Sequence, residues 1–140
     1  EVCVCRLCFF KYGTFKEKEG IVEKPIGRSP KDRKKMAIVS DGRYAKTHYR
    51  VLEEFDKFSY VELTLFTGRT HQIRVHLASI GHPILGDPIY GPQKSMWGLT
   101  KQTLHAKVLG FEHPTTSQYV EFNSDLPGYF QTILDRLRKM

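Results

Sequence analysis

Ionisable side chains are concentrated in residues 64–91, a stretch that otherwise has the composition of a protein core. Its two arginines and three histidines are Arg69, Arg74, His71, His76 and His82. The pattern around them predicts the end of a strand, a tight turn at Gly68, a helix and a loop rich in Gly and Pro. Charged groups in such a segment need partners, so this block is the first place to look for chemistry.

Arg74 has the clearest chemical potential in this block. Ile73, Leu77 and Ile80 form the apolar stripe of the predicted helix, and Arg74 lies beside that stripe, near His71 at i−3. A guanidinium at such a boundary can hold a buried carboxylate through two parallel hydrogen bonds. It can equally tie a helix to a sheet through backbone carbonyl groups, and the sequence leaves both interpretations open.

Other site chemistries are not supported by the spacing of the residues. His71 and His76 are five positions apart, whereas three or four would place both on one helix face. The cysteines are clustered as Cys3, Cys5 and Cys8, without a fourth ligand to complete a tetrahedral zinc site, and they alternate with valines as strand residues do. No glycine-rich phosphate loop or Gly-x-Ser-x-Gly elbow occurs. We therefore expect no metal.

The charge balance favours a polyanionic partner. The formal net charge is +7 and the pI is about 9.4, which suggests nucleic acid first and an anionic membrane surface second. Basic side chains are clustered at Lys31, Arg33, Lys34 and Lys35, and again at Arg136, Arg138 and Lys139. A soluble surface with solvated lysines remains the alternative.

Length and composition fit one domain of 140 residues with a single core. No apolar run reaches the length of about 18 residues that a spanning helix needs, so no membrane partner is expected. The first residues lack the pattern of a signal peptide, and three clustered cysteines fit a reducing compartment. We expect a cytoplasmic location.

The elements that must position the block are strands followed by two helices. We expect strands over residues 2–9, 20–28, 36–39, 45–55, 60–66, 104–114 and 119–122. Only residues 56–59 separate two long strands, which predicts an antiparallel hairpin. Thr70 is the expected cap of the first helix and Gly81 its end; Pro127 opens the second, whose apolar side is Phe130, Ile133, Leu134 and Leu137. The predicted fold is α+β, a mainly antiparallel mixed sheet with two helices.

Five sequence blocks follow one another along most of the chain from residue 20 onward. The central block is Gly68-Arg69-Thr70-His71-Gln72-Ile73-Arg74, continued to Gly91, and the others are residues 24–28, 34–37, 49–52 and 104–114. In this order they closely resemble the RluA-like family of pseudouridine synthases, which act on ribosomal and transfer RNA. The resemblance implies the catalytic domain of such an enzyme, with structured RNA as its partner.

The resemblance also implies a reaction and roles for particular residues. Such enzymes flip a uridine out of its RNA, break the glycosidic bond with an aspartate, and rejoin the uracil through carbon, without cofactor or metal. Arg74 is expected to pair with that aspartate. Leu104 is expected near the uracil, with plain core burial as the open alternative.

The remaining polar residues of the matching blocks receive lesser roles. Arg69 and His71 are expected to bind the substrate RNA or to support the loop, and the basic residues Arg28, Lys34 and Lys35 are expected to bind RNA. Asp87, between Gly86 and Pro88, is expected to fix its own turn rather than to act in catalysis.

Two departures from the family pattern qualify these expectations. The family's catalytic aspartate lies in a His-Arg-Leu-Asp segment, which this sequence lacks, and Cys3 stands where the family usually has a tyrosine. We therefore expect residues 1–140 to be the carboxy-terminal portion of the catalytic domain, without the half that carries the aspartate and inactive alone. Exposed strand edges would favour self-association. The alternative is a non-catalytic RNA-binding or assembly module derived from such an enzyme.

Overall fold

The computed structural model describes residues 3–12, 14–92 and 97–139, with the backbone alone for residues 3–12. The strands are β1 Cys3–Tyr12, β2 Glu19–Glu23, β3 Ile26–Arg28, β4 Met36–Ile38, β5 Lys46–Glu54, β6 Phe58–Leu65, β7 Leu104–Glu112 and β8 Tyr119–Asn123. The helices are α1 Gln72–Ser79 and α2 Gly128–Arg138. Six strands form one sheet in the order β2-β5-β6-β1-β7-β8, and β3 and β4 form a second, two-stranded sheet. All strand pairs in these residues are antiparallel, and the predicted α+β fold is confirmed.

The hairpin of β5 and β6 forms the platform under the first helix. The predicted hairpin is confirmed, and its register pairs Thr47 with Leu65, Tyr49 with Leu63, and Val51 with Val61, so that these side chains share one face of the sheet. Val61 and Leu63 are fully buried there, packed in one cluster with Ile73, Leu77 and Ile84. The alternation of apolar and polar residues in both strands therefore fixes which face receives α1.

The entry to α1 differs from the prediction. The expected capping role of Thr70 is wrong: His71 is the N-cap, in the left-handed conformation with φ 54°, and no side chain caps the helix. The Gln72 side chain holds the preceding turn instead, because its Oε1 accepts hydrogen bonds from the Arg69 N–H at 3.0 Å and from the Thr67 hydroxyl at 2.7 Å. The predicted end of the helix is confirmed, with Gly81 at φ 80°.

Helix α2 closes the other part of the core. Phe130, Ile133, Leu134 and Leu137 are buried as predicted, and they pack against Phe58, Tyr60 and Leu85. Pro127 is the N-cap, also as predicted. No helix in the described ranges is long and apolar enough to cross a membrane.

The two-stranded sheet is attached to the rest of the protein through Ile26, the first residue of β3. Ile26 is buried and exchanges two backbone hydrogen bonds of 2.9 Å with Arg43. Gly42 is required beside this contact, since an added Cβ would lie 2.7 Å from the backbone of Ile26. We call β3, β4 and their connecting residues 29–35 the basic hairpin.

Candidate active site

Arg74 and Asp87 form a buried ion pair with two parallel hydrogen bonds. Arg74 Nε donates to one carboxylate oxygen of Asp87 and Nη2 to the other, each at 2.9 Å. The Arg74 side chain is 9% exposed and that of Asp87 is fully buried. Such a pair fixes the plane of the guanidinium, because moving it would leave a buried charge without a partner.

Asp87 also organises its own loop, as predicted. Its Oδ1 accepts the N–H groups of Ile89 at 2.9 Å and Tyr90 at 3.1 Å. Burial opposes the ionisation of Asp87, but the hydrogen bonds from Arg74 and from these two N–H groups, with the charge of Arg74, lower its pKa below the usual value. Asp87 is therefore an ionised carboxylate whose chief partner is Arg74, a role that the sequence did not reveal.

One edge of the Arg74 guanidinium is left over after this pairing. A guanidinium has five N–H donors, and Asp87 takes one on Nε and one on Nη2. Within the part of the chain that the structure describes, Nη1 has no hydrogen-bond partner. The edge formed by Nη1 and Nη2 can therefore hold a second carboxylate in the same two-pronged manner.

Tyr90 and His71 complete this cluster. The centroid of the Tyr90 ring is 5.0 Å from Arg74 Cζ, within the range of a cation–π contact. The Tyr90 hydroxyl is 2.9 Å from His71 Nδ1 and accepts the Met36 N–H at 3.0 Å. Burial lowers the pKa of His71, the charge of Arg74 acts in the same direction, and that of Asp87 opposes it. His71 is thus a neutral member of the cluster near pH 7.

A second polar network lies on the inner side of α1 and has a structural role. His76 is fully buried; its Nε2 donates to the Lys24 carbonyl and its Nδ1 accepts the Thr47 hydroxyl, each at 2.9 Å. The Gln72 amide donates to Thr47 at 2.9 Å. Burial lowers the pKa of His76, the charge on Lys24 also lowers it, and the hydrogen bond to the Lys24 carbonyl opposes both. The network requires a neutral His76.

The structure places the other predicted site residues around this cluster. Arg69 Nε donates to the Tyr44 carbonyl at 2.8 Å, so its side chain braces the strand connection before β5. Leu104 is half-buried at the start of β7, packed against the core cluster that contains Ile73 and Leu77. It also lines a cleft of about 500 Å³ with residues 98–102. Both open alternatives for Leu104, core packing and contact with a bound base, are compatible with this position.

The basic hairpin presents its charges on an ordered loop. Arg28 and Lys34 are exposed and Lys35 is half-buried. The loop is held by the Ser29 N–H, which donates to the Lys35 carbonyl at 2.9 Å, and by the Asp32 carboxylate, which accepts the Lys34 N–H at 3.1 Å. A rigid display of cations is the arrangement that a folded polyanion can match without a large loss of entropy.

The structure does not support a metal site in the residues it describes. No group of three or more His, Cys, Asp or Glu side chains within the described ranges is placed to hold a metal ion. The predicted absence of a site at Cys3, Cys5 and Cys8 lies outside the described side chains.

Sequence reasoning missed Asp87 as the partner of Arg74 and missed Tyr90 entirely. One signal could have found Asp87: it is the one acidic residue of the block 64–91 and lies two positions after the apolar pair Ile84 and Leu85. Tyr90 carried no such signal, because its contacts with residues 36, 71 and 74 join parts of the chain whose proximity only the fold reveals.

Comparison with known proteins shows what this arrangement is similar to. The family described as RNA pseudouridylate synthase matches residues 2–79. An uncharacterised RNA pseudouridine synthase of Chloroflexus aurantiacus is 51% identical over 119 residues, 85% of this chain and 38% of that protein. The ribosomal large subunit pseudouridine synthase D of Nitrosomonas europaea is 47% identical over 131 residues, 89% of this chain and 38% of that protein.

Solved structures agree with the sequence relatives. Human RNA pseudouridylate synthase domain containing 1 superposes with a TM-score of 0.75 at 26% identity, covering 99% of this chain and 66% of that one. The chain spans about two-fifths of the length of the curated relatives it matches: 38% of the two quoted above and 42% of an uncharacterised RNA pseudouridine synthase of Bacillus subtilis. With the family match extending over more than half of its residues, the chain belongs to the RNA pseudouridylate synthase family.

Proposed function

We propose that residues 1–140 are the carboxy-terminal portion of a catalytic domain that isomerises uridine to pseudouridine in structured RNA. The observation that carries the proposal is the Nη1–Nη2 edge of Arg74, which Asp87 leaves open and where Nη1 has no partner among the described residues, on a guanidinium whose other edge is fixed by Asp87. A catalytic aspartate supplied by the remainder of the protein would meet a rigid, charged partner there. Since the guanidinium favours the ionised carboxylate, this aspartate would be ready to attack at neutral pH.

The reaction needs few groups from the protein. The bond between N1 of uracil and the ribose breaks, the base turns, and C5 takes the place of N1, while the proton on C5 is lost and N1 gains one. No external oxidant or reductant enters this balance, which agrees with the expectation of no cofactor. The chain would contribute Arg74 to orient the aspartate and an apolar surface at Leu104 against which a flipped base could pack.

The basic hairpin would supply the cations that bind the RNA backbone. Arg28 ends β3 and Lys34 and Lys35 lie in the ordered loop that follows it, and the hairpin adjoins the Arg74 cluster through the hydrogen bond from the Met36 N–H to Tyr90. Contacts with phosphates would fix the orientation of the RNA without reading its sequence. We assign these three residues to RNA binding, with Arg69 and His71 supporting the loop between the RNA and Arg74.

Ribosomal RNA is the favoured substrate within this proposal. Relatives from Nitrosomonas europaea and Pseudomonas aeruginosa, 47% and 40% identical, are named ribosomal large subunit pseudouridine synthase D. Transfer RNA is the alternative that the sequence resemblance left open.

The test compares residues 1–140 with the intact protein that contains them. RNA labelled with tritium at C5 of uridine releases tritium when the isomer forms, because C5 loses its hydrogen. We expect release by the intact protein and none by residues 1–140. Release by residues 1–140 alone would contradict the assignment of the aspartate to the remainder of the protein. Absence of release by the intact protein, with ribosomal and with transfer RNA, would refute the function.

A second candidate is a non-catalytic RNA-binding or assembly module, favoured by Cys3 at the position where the family usually has a tyrosine. This module would bind RNA through the basic hairpin and release no tritium even as the intact protein. Replacement of Cys3 by Tyr offers a direct comparison. A gain of turnover in Cys3→Tyr of an otherwise inactive intact protein would identify a decayed enzyme.

We also propose that residues 1–140 self-associate when isolated. Within the described residues, strands β2 and β8 lie at the two edges of the six-stranded sheet and each pairs on one side only, and Phe122 on β8 is 59% exposed. Unpaired backbone groups beside an exposed aromatic residue favour pairing with another chain. Size-exclusion chromatography over a concentration series should show a shift to larger species, and Phe122→Lys should reduce it; a monomer at all concentrations would oppose the proposal.

A further inference from the structure

Tyr90 contacts three parts of the protein that have different roles in the proposed function: the basic hairpin, the start of α1 and Arg74. Its hydroxyl accepts the N–H of Met36, in strand β4 of the basic hairpin, at 3.0 Å. The same hydroxyl lies 2.9 Å from Nδ1 of His71, the residue that begins α1. Its ring lies 5.0 Å from Cζ of Arg74. One side chain therefore joins the RNA-binding hairpin, the start of the helix and the catalytic arginine.

The direction of the hydrogen bonds follows from the donors available. The Met36 N–H can only donate, so the Tyr90 oxygen is its acceptor. The Tyr90 O–H is then free to donate to Nδ1 of a neutral His71. The two partners lie on different elements, so the hydroxyl is a polar link between β4 of the hairpin and the start of α1, beside the apolar packing of Met36 and Ile38 with Val75.

The backbone of Tyr90 adds a fourth connection. Its N–H donates to Oδ1 of Asp87 at 3.1 Å, and Asp87 holds Arg74 through two hydrogen bonds of 2.9 Å. The Tyr90 ring thus contacts Arg74 directly and its backbone N–H holds Asp87, the partner of Arg74, whereas its hydroxyl bonds to the hairpin. These two actions can be separated by removing the hydroxyl alone.

We propose that Tyr90 is a positioning residue whose hydroxyl fixes the basic hairpin relative to Arg74, so that RNA bound on the hairpin is aligned with the reacting centre. This inference rests on the proposed function. Without the hydroxyl, the hairpin would keep its attachment at Ile26 and Arg43 and the packing of Met36 and Ile38 on the cluster that contains Val75, but it would lose its hydrogen bond to Tyr90. The hairpin charges would then meet the RNA from a range of orientations.

Ordinary core packing is the competing explanation, and Tyr90→Phe distinguishes the two. Tyr90 is partly buried and packs against a cluster that contains Ile26, Ala45 and Val75. Phenylalanine keeps this packing and the ring beside Arg74, and removes only the hydroxyl. Tyr119→Phe is the matched control, because it also removes a hydrogen-bonded hydroxyl, donated to Glu121 at 3.0 Å, on strand β8.

The experiment is a double-mutant cycle on the intact protein, with tritium release from C5-labelled RNA as the readout. Tyr90→Phe should lower kcat/KM by about 3- to 10-fold, the effect expected for one lost hydrogen bond, with kcat within about two-fold of the wild type. In a background carrying Lys34→Ala and Lys35→Ala, the same change should lower kcat/KM by less than about two-fold, because the hairpin no longer aligns the RNA. Tyr119→Phe should match the wild type.

Three results would overturn the inference. The first is a kcat/KM of Tyr90→Phe within two-fold of the wild type. The second is an equal loss of kcat/KM in both backgrounds, and the third is a loss of kcat with unchanged KM. Amide hydrogen exchange gives a test that needs no activity: Tyr90→Phe should speed exchange of the Met36 N–H by about 3- to 10-fold, and unchanged exchange would refute the link. A wild type that releases no tritium would instead refute the proposed function, and the exchange measurement would still decide the role of Tyr90.

Discussion

Replacing Asp87 by Asn tests whether the buried pair with Arg74 holds the candidate site together. The asparagine oxygen can still accept the N–H groups of Ile89 and Tyr90, which bond to Oδ1. The amide NH2 would replace Oδ2, the oxygen that accepts Arg74 Nε at 2.9 Å. Two donors would then face each other, and the guanidinium would be left without its counter-charge.

The expected loss of stability follows from the burial of both partners. The side chains are 9% and 0% exposed, so solvent screens the interaction little. Removing one partner of such a pair costs about 3–5 kcal/mol, and the two turn hydrogen bonds that Asn keeps favour the lower figure. We expect Asp87→Asn to lower the free energy of unfolding by about 3 kcal/mol at pH 7.

Urea unfolding followed by the fluorescence of Trp97 measures this loss. Trp97 is the single tryptophan of residues 1–140, and the centroid of its ring lies 5.7 Å from that of Phe58 in the core beneath α2. With a slope of about 1–3 kcal/mol per molar urea, the midpoint should fall by about 1–3 M at unchanged slope. In a background carrying Arg74→Met, Asp87→Asn should cost less than about 1 kcal/mol, because no guanidinium is left unpaired.

Two outcomes would refute this reasoning. A loss below about 1 kcal/mol in the wild-type background would mean that the pair is not buried in solution. An equal loss in both backgrounds would mean that Asp87 acts through its turn alone, and that Arg74 is held by other contacts.

Three further predictions concern pH, backbone conformation and RNA affinity. Because the folded state lowers the pKa of His76, the stability that the neutral imidazole contributes is complete above about pH 6.5 and is lost as the pH falls towards the folded pKa. The urea midpoint should therefore decline as the pH is lowered from 7.5 to 5, and it should decline less in His76→Gln. Gly86→Ala should be far more destabilising than Gly98→Ala in thermal unfolding. Both glycines have positive φ, but an added Cβ at Gly86 would lie 2.3 Å from a backbone oxygen, whereas at Gly98 no atom of the described residues beyond its neighbours lies within 4 Å. Lys34→Ala and Lys35→Ala should each reduce the slope of log K against log salt for RNA binding by about 1, and unchanged slopes would remove these residues from the RNA-binding surface.

Local patterns in the sequence were sufficient for most of the fold. The patterns of residues 45–55 and 60–66 predicted two strands joined as an antiparallel hairpin, and the structure pairs Thr47 with Leu65 and Tyr49 with Leu63 in that hairpin. The helix period likewise placed Phe130 and its neighbours in the core. These features depend on residues within one element and its neighbour, which a sequence displays directly.

The entry to α1 could not be predicted in this way. Thr70 has the side chain of a good cap, but it does not cap α1. The Gln72 amide oxygen instead holds the turn before the helix by accepting hydrogen bonds from the Thr67 hydroxyl and the Arg69 N–H. This arrangement places His71 in a left-handed conformation with φ 54°. A tertiary contact of Gln72 with Thr47 outweighs the local preference of Thr70, and such contacts carry no periodic signal.

The candidate site was predictable only in part for a related reason. Arg74 was recognisable as a cation beside the apolar stripe of a helix, with either a carboxylate or backbone carbonyl groups as its partner, and the resemblance named an aspartate that this sequence lacks as that partner. The structure adds Asp87, from the loop after α1, as the partner within the chain. It also adds Tyr90, whose contacts join residues that are 54 positions apart, at Met36, and 19 apart, at His71.

The central claim is that Arg74 presents a second carboxylate-binding edge to the catalytic aspartate, and single-turnover kinetics of the intact protein test it most directly. The informative variant combines Arg74→Met with Asp87→Asn, which removes both charges together and leaves neither one buried alone. We predict that tritium release from C5-labelled RNA slows by about 100-fold or more, while the dissociation constant for RNA stays within about three-fold. Turnover at the wild-type rate, or a loss of RNA affinity equal to the loss of rate, would contradict the account.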